Sequence, residues 1–124
     1  MISTETLILP DLISICPFNW SINPHYDRVR VESVAWIDSF KAFPERKLAS
    51  FTQFNSELLG ALAYSYAGYE ELRTSADFMN LLFTFDEISD ELDGHEADKA
   101  GAALFQALKG EPIDNSVMSR IAME

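Results

Sequence analysis

Residues 79–94 read MNLLFTFDEISDELDG, and the reading of this stretch decides the fold. An apolar run, MNLLFTF, passes with no turn signal into DEISDELD, which carries five acids and no base. Traced backward, the spacing predicts one long helix, from near Tyr69 or Glu70 past Asp90 and stopping by Gly94. At about 100° per residue this helix has two stripes. Phe78, Leu82, Phe85, Ser89 and Leu92 make one, read as the core face. Leu72, Ala76, Met79, Phe83, Asp86 and Asp90 make the other, apolar at its start and ending in two carboxylates four residues apart. Asn80, Thr84, Glu87 and Glu91 fill the remaining side and are expected to face solvent or be hydrogen-bonded.

The acidic end breaks local rules. Carboxylates near a helix C-terminus oppose the macrodipole, by up to about 1 kcal/mol each when exposed. Like charges at i and i+4 cost a few tenths more. No Lys or Arg sits three or four residues from Asp86 or Asp90 to offset this. Uncompensated local conflict marks a candidate functional site, and a metal cation is one compensation the chemistry offers. The plainer reading is a solvated acidic face. An EF-hand loop fails on spacing: Gly94 at loop position six puts Ser89 and Ala100 where carboxylates are needed.

Working outward, the class is all-α. Before Asn23 the chain reads as an irregular lead-in, residues 1–22, broken by Pro10 and Pro17 and expected to lie extended across the body. Residues 23–124 read as a helical bundle of about four to five helices. Asn23 is the expected N-cap and Pro24 the first helical position of a helix running to about Phe43, with Tyr26, Val29, Ser33, Ile37 and Phe40 near one face. A second helix is predicted from Leu48 to about Tyr66, its face marked by Phe51, Leu58, Leu62 and Tyr66. A fourth follows from Glu96 to Lys109, and a fifth begins near Asn115. Short connections favour antiparallel neighbours.

Composition narrows the function. The chain has 124 residues, 48% hydrophobic, with a net charge of −11. That balance argues against nucleic acid, which needs clustered Lys and Arg, and against an anionic membrane surface. A metal-bridged phosphate site is compatible with it. No run approaches the roughly 18 apolar residues of a membrane span. The start, MISTETLILP, does not read as a signal peptide, so a cytoplasmic location is the expectation. The single cysteine, Cys16, has no identifiable base partner and reads as buried packing. His95 reads as a surface-loop residue and His25 as support for the first helix.

Several stretches then occur together in order: LPDLISICPFNWSINPH, Glu32 and Trp36, NSELLGALAYSYAGYEELRTSADFMNLLF, and DEISDE. From about Leu9 to Asp98 this series resembles the N-terminal part of fungal class I terpene synthases, the basidiomycete sesquiterpene cyclases in particular. The resemblance implies an all-α bundle around a deep apolar pocket. It implies that Asp86, first acid of the aspartate-rich motif, binds Mg²⁺ holding the diphosphate of a prenyl substrate, farnesyl diphosphate in the first instance. Asp90 would be a ligand or support one, and both aspartates would be catalytic. Glu87 is a third candidate metal ligand, although its angle turns it off the stripe. Phe83 and Met79 would line the substrate pocket, where aromatic faces stabilise carbocations.

Family enzymes are well over twice this length. They carry a second metal motif of the Asn-Asp-x-x-Ser-x-x-x-Glu type, a diphosphate-sensing arginine and a late Arg-Tyr pair, none of which is found here. The chain therefore reads as an N-terminal fragment or truncated product, with little cyclase activity alone and with apolar faces that favour self-association. The rival function is a non-catalytic acidic helical protein that binds a partner through those faces. A linear prenyltransferase ranks lower, because the nearest basic residue after the motif is Lys99.

Overall fold

Asn23 anchors the start of the helical body. Its side-chain amide donates to the Tyr64 and Ala67 carbonyls at 2.8 and 2.9 Å, and its oxygen accepts from the His25 N–H at 2.9 Å. With Asn23 thus occupied, His25 takes the N-cap position and the first helix starts later than the Asn23–Pro24 signal implies. The computed structural model describes residues 7–124. Among them six helices follow one another: α1 (Tyr26–Ser39), α2 (Glu45–Phe54), α3 (Ser56–Ala63), α4 (Tyr69–Ser89), α5 (Gly94–Leu108) and α6 (Val117–Ala122). The all-α expectation holds. The extra helix comes from one break.

That break is Asn55. The single helix expected over Leu48–Tyr66 is two, because Asn55 adopts the left-handed conformation (φ 56°, ψ 50°). Asparagine tolerates this region better than most residues, and the Tyr26 hydroxyl donates to its side-chain oxygen at 2.8 Å. The break redirects the chain and changes which face is buried. Ser56, Glu57, Gly60 and Ala61 form the inner face of α3, whereas Leu62 is 40% exposed and Tyr66 96%. Gly60 lets α3 approach α4 closely: a Cβ there would meet Ser75 Oγ at 3.2 Å.

The expected core face of α4 is likewise corrected. Phe78 and Leu82 are exposed, at 45% and 40%, while Asn80 and Thr84 are fully buried. The inner stripe is Leu72, Ala76, Asn80 and Thr84, with Leu81 beside it. It faces Val29, Ser33 and Ile37 of α1, which are buried as their spacing predicts. Two apolar clusters result. Val29, Ala61, Leu72 and Ala76 pack at one end, and Ile37, Leu81, Leu104, Met118 and Ile121 at the other. Each fully buried Val, Leu, Ile or Met side chain there contributes about 1.5–3 kcal/mol.

A polar seam centred on Asn80 joins the same helices. The Asn80 amide donates to Ser33 Oγ and Glu57 Oε1, both at 2.8 Å, and Ser56 Oγ donates to Asn80 Oδ1 at 2.7 Å. Ser33 Oγ in turn donates to Asp77, which also accepts from Arg73 at 2.9 Å. Polar groups survive burial when their bonds are met, and here the partners come from three helices. Nearby, the Tyr69 hydroxyl donates to Glu32, as does Arg28 at 2.9 Å. Tyr69 first, then Arg28, hold the Glu32 carboxyl below its ordinary range.

α5 begins with a capping box, in which Asp93 accepts from the His95 and Glu96 N–H groups and Glu96 reaches back to the Asp93 N–H. His95 is therefore an exposed first-turn residue of α5, not a loop residue. α6 is shorter than its signals imply and is capped by Ser116. Residues 7–22 carry no helix and are exposed throughout, Leu9 at 76% and Trp20 at 76% among them. Their apolar side chains are exposed, and Cys16 is exposed rather than packed. The expectation for residues 1–6 lies outside the described residues.

Candidate functional site

The four acids of DEISDE emerge on two adjacent lines at the C-terminal end of α4. Asp86 and Asp90 lie one turn apart on one line, and Glu87 and Glu91 on the next. The helix end is closed by its own backbone: Asp90 and Ser89 both donate to the Asp86 carbonyl, at 3.0 Å each. Ser89 thus spends its hydroxyl on the main chain and leaves the Asp86 carboxylate untouched. Among the described residues neither Asp86 nor Asp90 has a cationic partner. Both side chains are exposed.

Beside them a pocket of about 170 Å³ opens between α2 and α4. Phe51, Phe54 and Phe83 supply its apolar wall, and Lys47, Ser50, Asp86 and Glu87 its polar edge. Phe54 meets Phe83 edge-on, with centroids 4.9 Å apart. Phe83 stands one turn before Asp86 and lines this cavity. Met79 is half-buried a turn earlier and is not among the lining residues. Asp90, four residues after Asp86, is exposed and is not among the lining residues.

Sequence reasoning missed Lys47. It lies 39 residues before Asp86, too distant for any helical spacing rule to connect them. Its ammonium reaches Glu91 at 2.7 Å and Glu87 at 3.2 Å, and donates to the Glu87 carbonyl at 3.3 Å. Glu91 first, then Glu87, hold Lys47 above its ordinary pKa, which burial alone would lower. The acidic end is therefore partly compensated after all. Glu87 is salt-bridged, which weakens its case as a metal ligand, while Asp86 and Asp90 remain uncompensated.

The donor set fits a hard divalent cation. Among the described residues no three His, Cys, Asp or Glu side chains gather into a ready metal centre. Mg²⁺ does not need one: it is commonly held by one or two carboxylates with substrate phosphates and water. Asp86 with Asp90 supplies that number of hard oxygens. No described helix is long and apolar enough to cross a membrane.

These features define an all-α bundle with an aspartate-tipped helix beside an aromatic pocket. No protein-family model matches the chain. Curated relatives do. A bifunctional terpene synthase of Cyclocybe aegerita is 50% identical over 101 residues, 82% of this chain and 30% of the relative. A sesquiterpene synthase of the same species is 36% identical over 104 residues, 84% of this chain and 28% of the relative. A protein of Coprinopsis cinerea named linoleate 10R-lipoxygenase is 45% identical over 117 residues, 94% of this chain and 34% of the relative. The chain belongs to the basidiomycete terpene synthase family. It spans about a third of the length of the relatives it matches.

Proposed function

We propose that this chain carries the first metal-binding wall of a Mg²⁺-dependent terpene synthase, a carbon–oxygen lyase acting on a prenyl diphosphate of the farnesyl class. The observation that carries this reading is the contrast at the end of α4. Glu87 and Glu91 are paired with Lys47, while Asp86 and Asp90 present unpaired carboxylates beside an aromatic pocket. Asp86 would hold the cation at the pocket edge and Asp90 would hold or support it from the next turn. When bound, Mg²⁺ stabilises the departing diphosphate. Phe51, Phe54 and Phe83 would shelter the hydrocarbon from water and offer aromatic faces to positive charge.

The family relationship supports the class of chemistry, chiefly through the relatives named as terpene and sesquiterpene synthases. A second reading, an acidic helical protein binding a partner, draws on the exposed apolar residues Phe78 and Leu82 of α4. Isothermal titration with inorganic pyrophosphate and Mg²⁺ separates the two. Binding that requires Mg²⁺ and is lost in Asp86→Asn is the expected result. Equal heats from the parent chain and Asp86→Asn would overturn the metal-site reading and favour the partner-binding one.

A further inference from the structure

Lys47 has only three N–H bonds to give. Two of them go to Glu91 Oε1 and the Glu87 carbonyl oxygen, and Glu87 Oε2 stands 3.2 Å away as an ion-pair partner. An ammonium so occupied is not poised to take a phosphate oxygen. Nor is it there chiefly for stability: Glu87 and Glu91 are 50% and 73% exposed, and solvent-exposed ion pairs stabilise a fold little. Its effect is selective. Of two like-charged i,i+4 carboxylate pairs on neighbouring lines of α4, it neutralises one and leaves the other.

We propose that Lys47 is a positioning residue that fixes the register of cation binding, holding Glu87 and Glu91 out of the metal site so that a divalent ion binds through Asp86 and Asp90. The inference rests on the reading of Asp86 and Asp90 given above. Without Lys47, Glu87 and Glu91 form a second exposed i,i+4 pair of hard oxygen donors one helical step away, free to recruit an ion of their own. Lys47 comes from α2, a helix with no buried residue of its own. Residues on α2 and α4 that share no local sequence pattern thus decide together which acids of DEISDE are available.

The test counts bound ions. Mn²⁺ binding in the presence of inorganic pyrophosphate is followed by electron paramagnetic resonance on the parent chain and on Lys47→Met, Lys47→Arg and Glu87→Gln/Glu91→Gln. Lys47→Met is expected to gain one bound ion per chain, a gain abolished when Glu87→Gln/Glu91→Gln is added to it. Lys47→Arg is expected to restore the parent count, and the double glutamine variant alone to leave it unchanged. A merely structural role for Lys47 would add no ion. An unchanged count in folded Lys47→Met overturns the proposal. So does loss of an ion in Glu87→Gln/Glu91→Gln, a result that stands even if Lys47→Met does not fold. Failure of the underlying reading looks different: the parent count then does not fall in Asp86→Asn.

Discussion

Asn80 shows how one residue can invert the reading of a helix face. It is polar and sits among Met79, Leu81 and Leu82, yet it is completely buried while Phe78 is 45% exposed. Its amide meets Ser33, Ser56 and Glu57, from helices 23 to 47 residues away in sequence. Removing it leaves three buried polar groups short of a partner, each loss costing about 1–3 kcal/mol where water cannot enter. Asn80→Ala is therefore expected to lower stability by about 2–3 kcal/mol in urea titration, against less than about 1 kcal/mol for Phe78→Ala. The reverse order would place Phe78 in a core and Asn80 at the surface, as hydrophobicity alone implies. Asp86, Glu87, Asp90 and Glu91 teach the same lesson at the site. The sequence separates them only by stripe; in the structure they also differ in charge pairing, because Lys47 reaches Glu87 and Glu91 alone.

Among the helices, α5 starts at a capping box that the sequence reading passed over when it began this helix at Glu96. Asp93 stands three residues before Glu96, and the structure forms both bonds of the box. Asp93→Ala is expected to cost about 1 kcal/mol. Hydrogen exchange should show the His95 and Glu96 amides exchanging faster, with the α4 core amides little changed. Unchanged protection there would mean α5 is held by Ala103, Leu104 and Ala107 alone. The weakest signal was Asn55, because nothing in the spacing of Phe51, Leu58 and Leu62 announces a left-handed residue between them. The bond from Tyr26 helps select that conformation, and Tyr26 lies in another helix. α2 in consequence hangs on side-chain contacts, Lys47 with the glutamates and Phe54 with Phe83, and these are the contacts that shape the pocket.

For the molecule as a whole, exposed apolar surface and strong negative charge pull in opposite directions. Phe54, Phe78, Leu82 and Phe105 are all 40% exposed or more, which favours association, while a net charge of −11 opposes it. Salt weakens only the second effect, since the screening length falls from about 30 Å at 0.01 M to about 3 Å at 1 M. The mean mass in static light scattering is thus expected to rise with sodium chloride at fixed protein concentration. A monomeric mass across that range would show that these residues do not form a contiguous adhesive face.

Sequence by itself determined the helical class, the positions of α1, α4 and α5 to within a few residues, and the line carrying Phe83, Asp86 and Asp90. These follow from a 3.6-residue period and from local breakers, which a chain carries within a dozen residues of itself. Only the tertiary structure decided which side of α4 is inside, that Asn55 splits a helix, and that Lys47 sorts the acids. Burial of Asn80 depends on distant helices bringing it partners, and an ion pair depends on where two helices lie in space. Neither quantity is encoded in the spacing of any one segment.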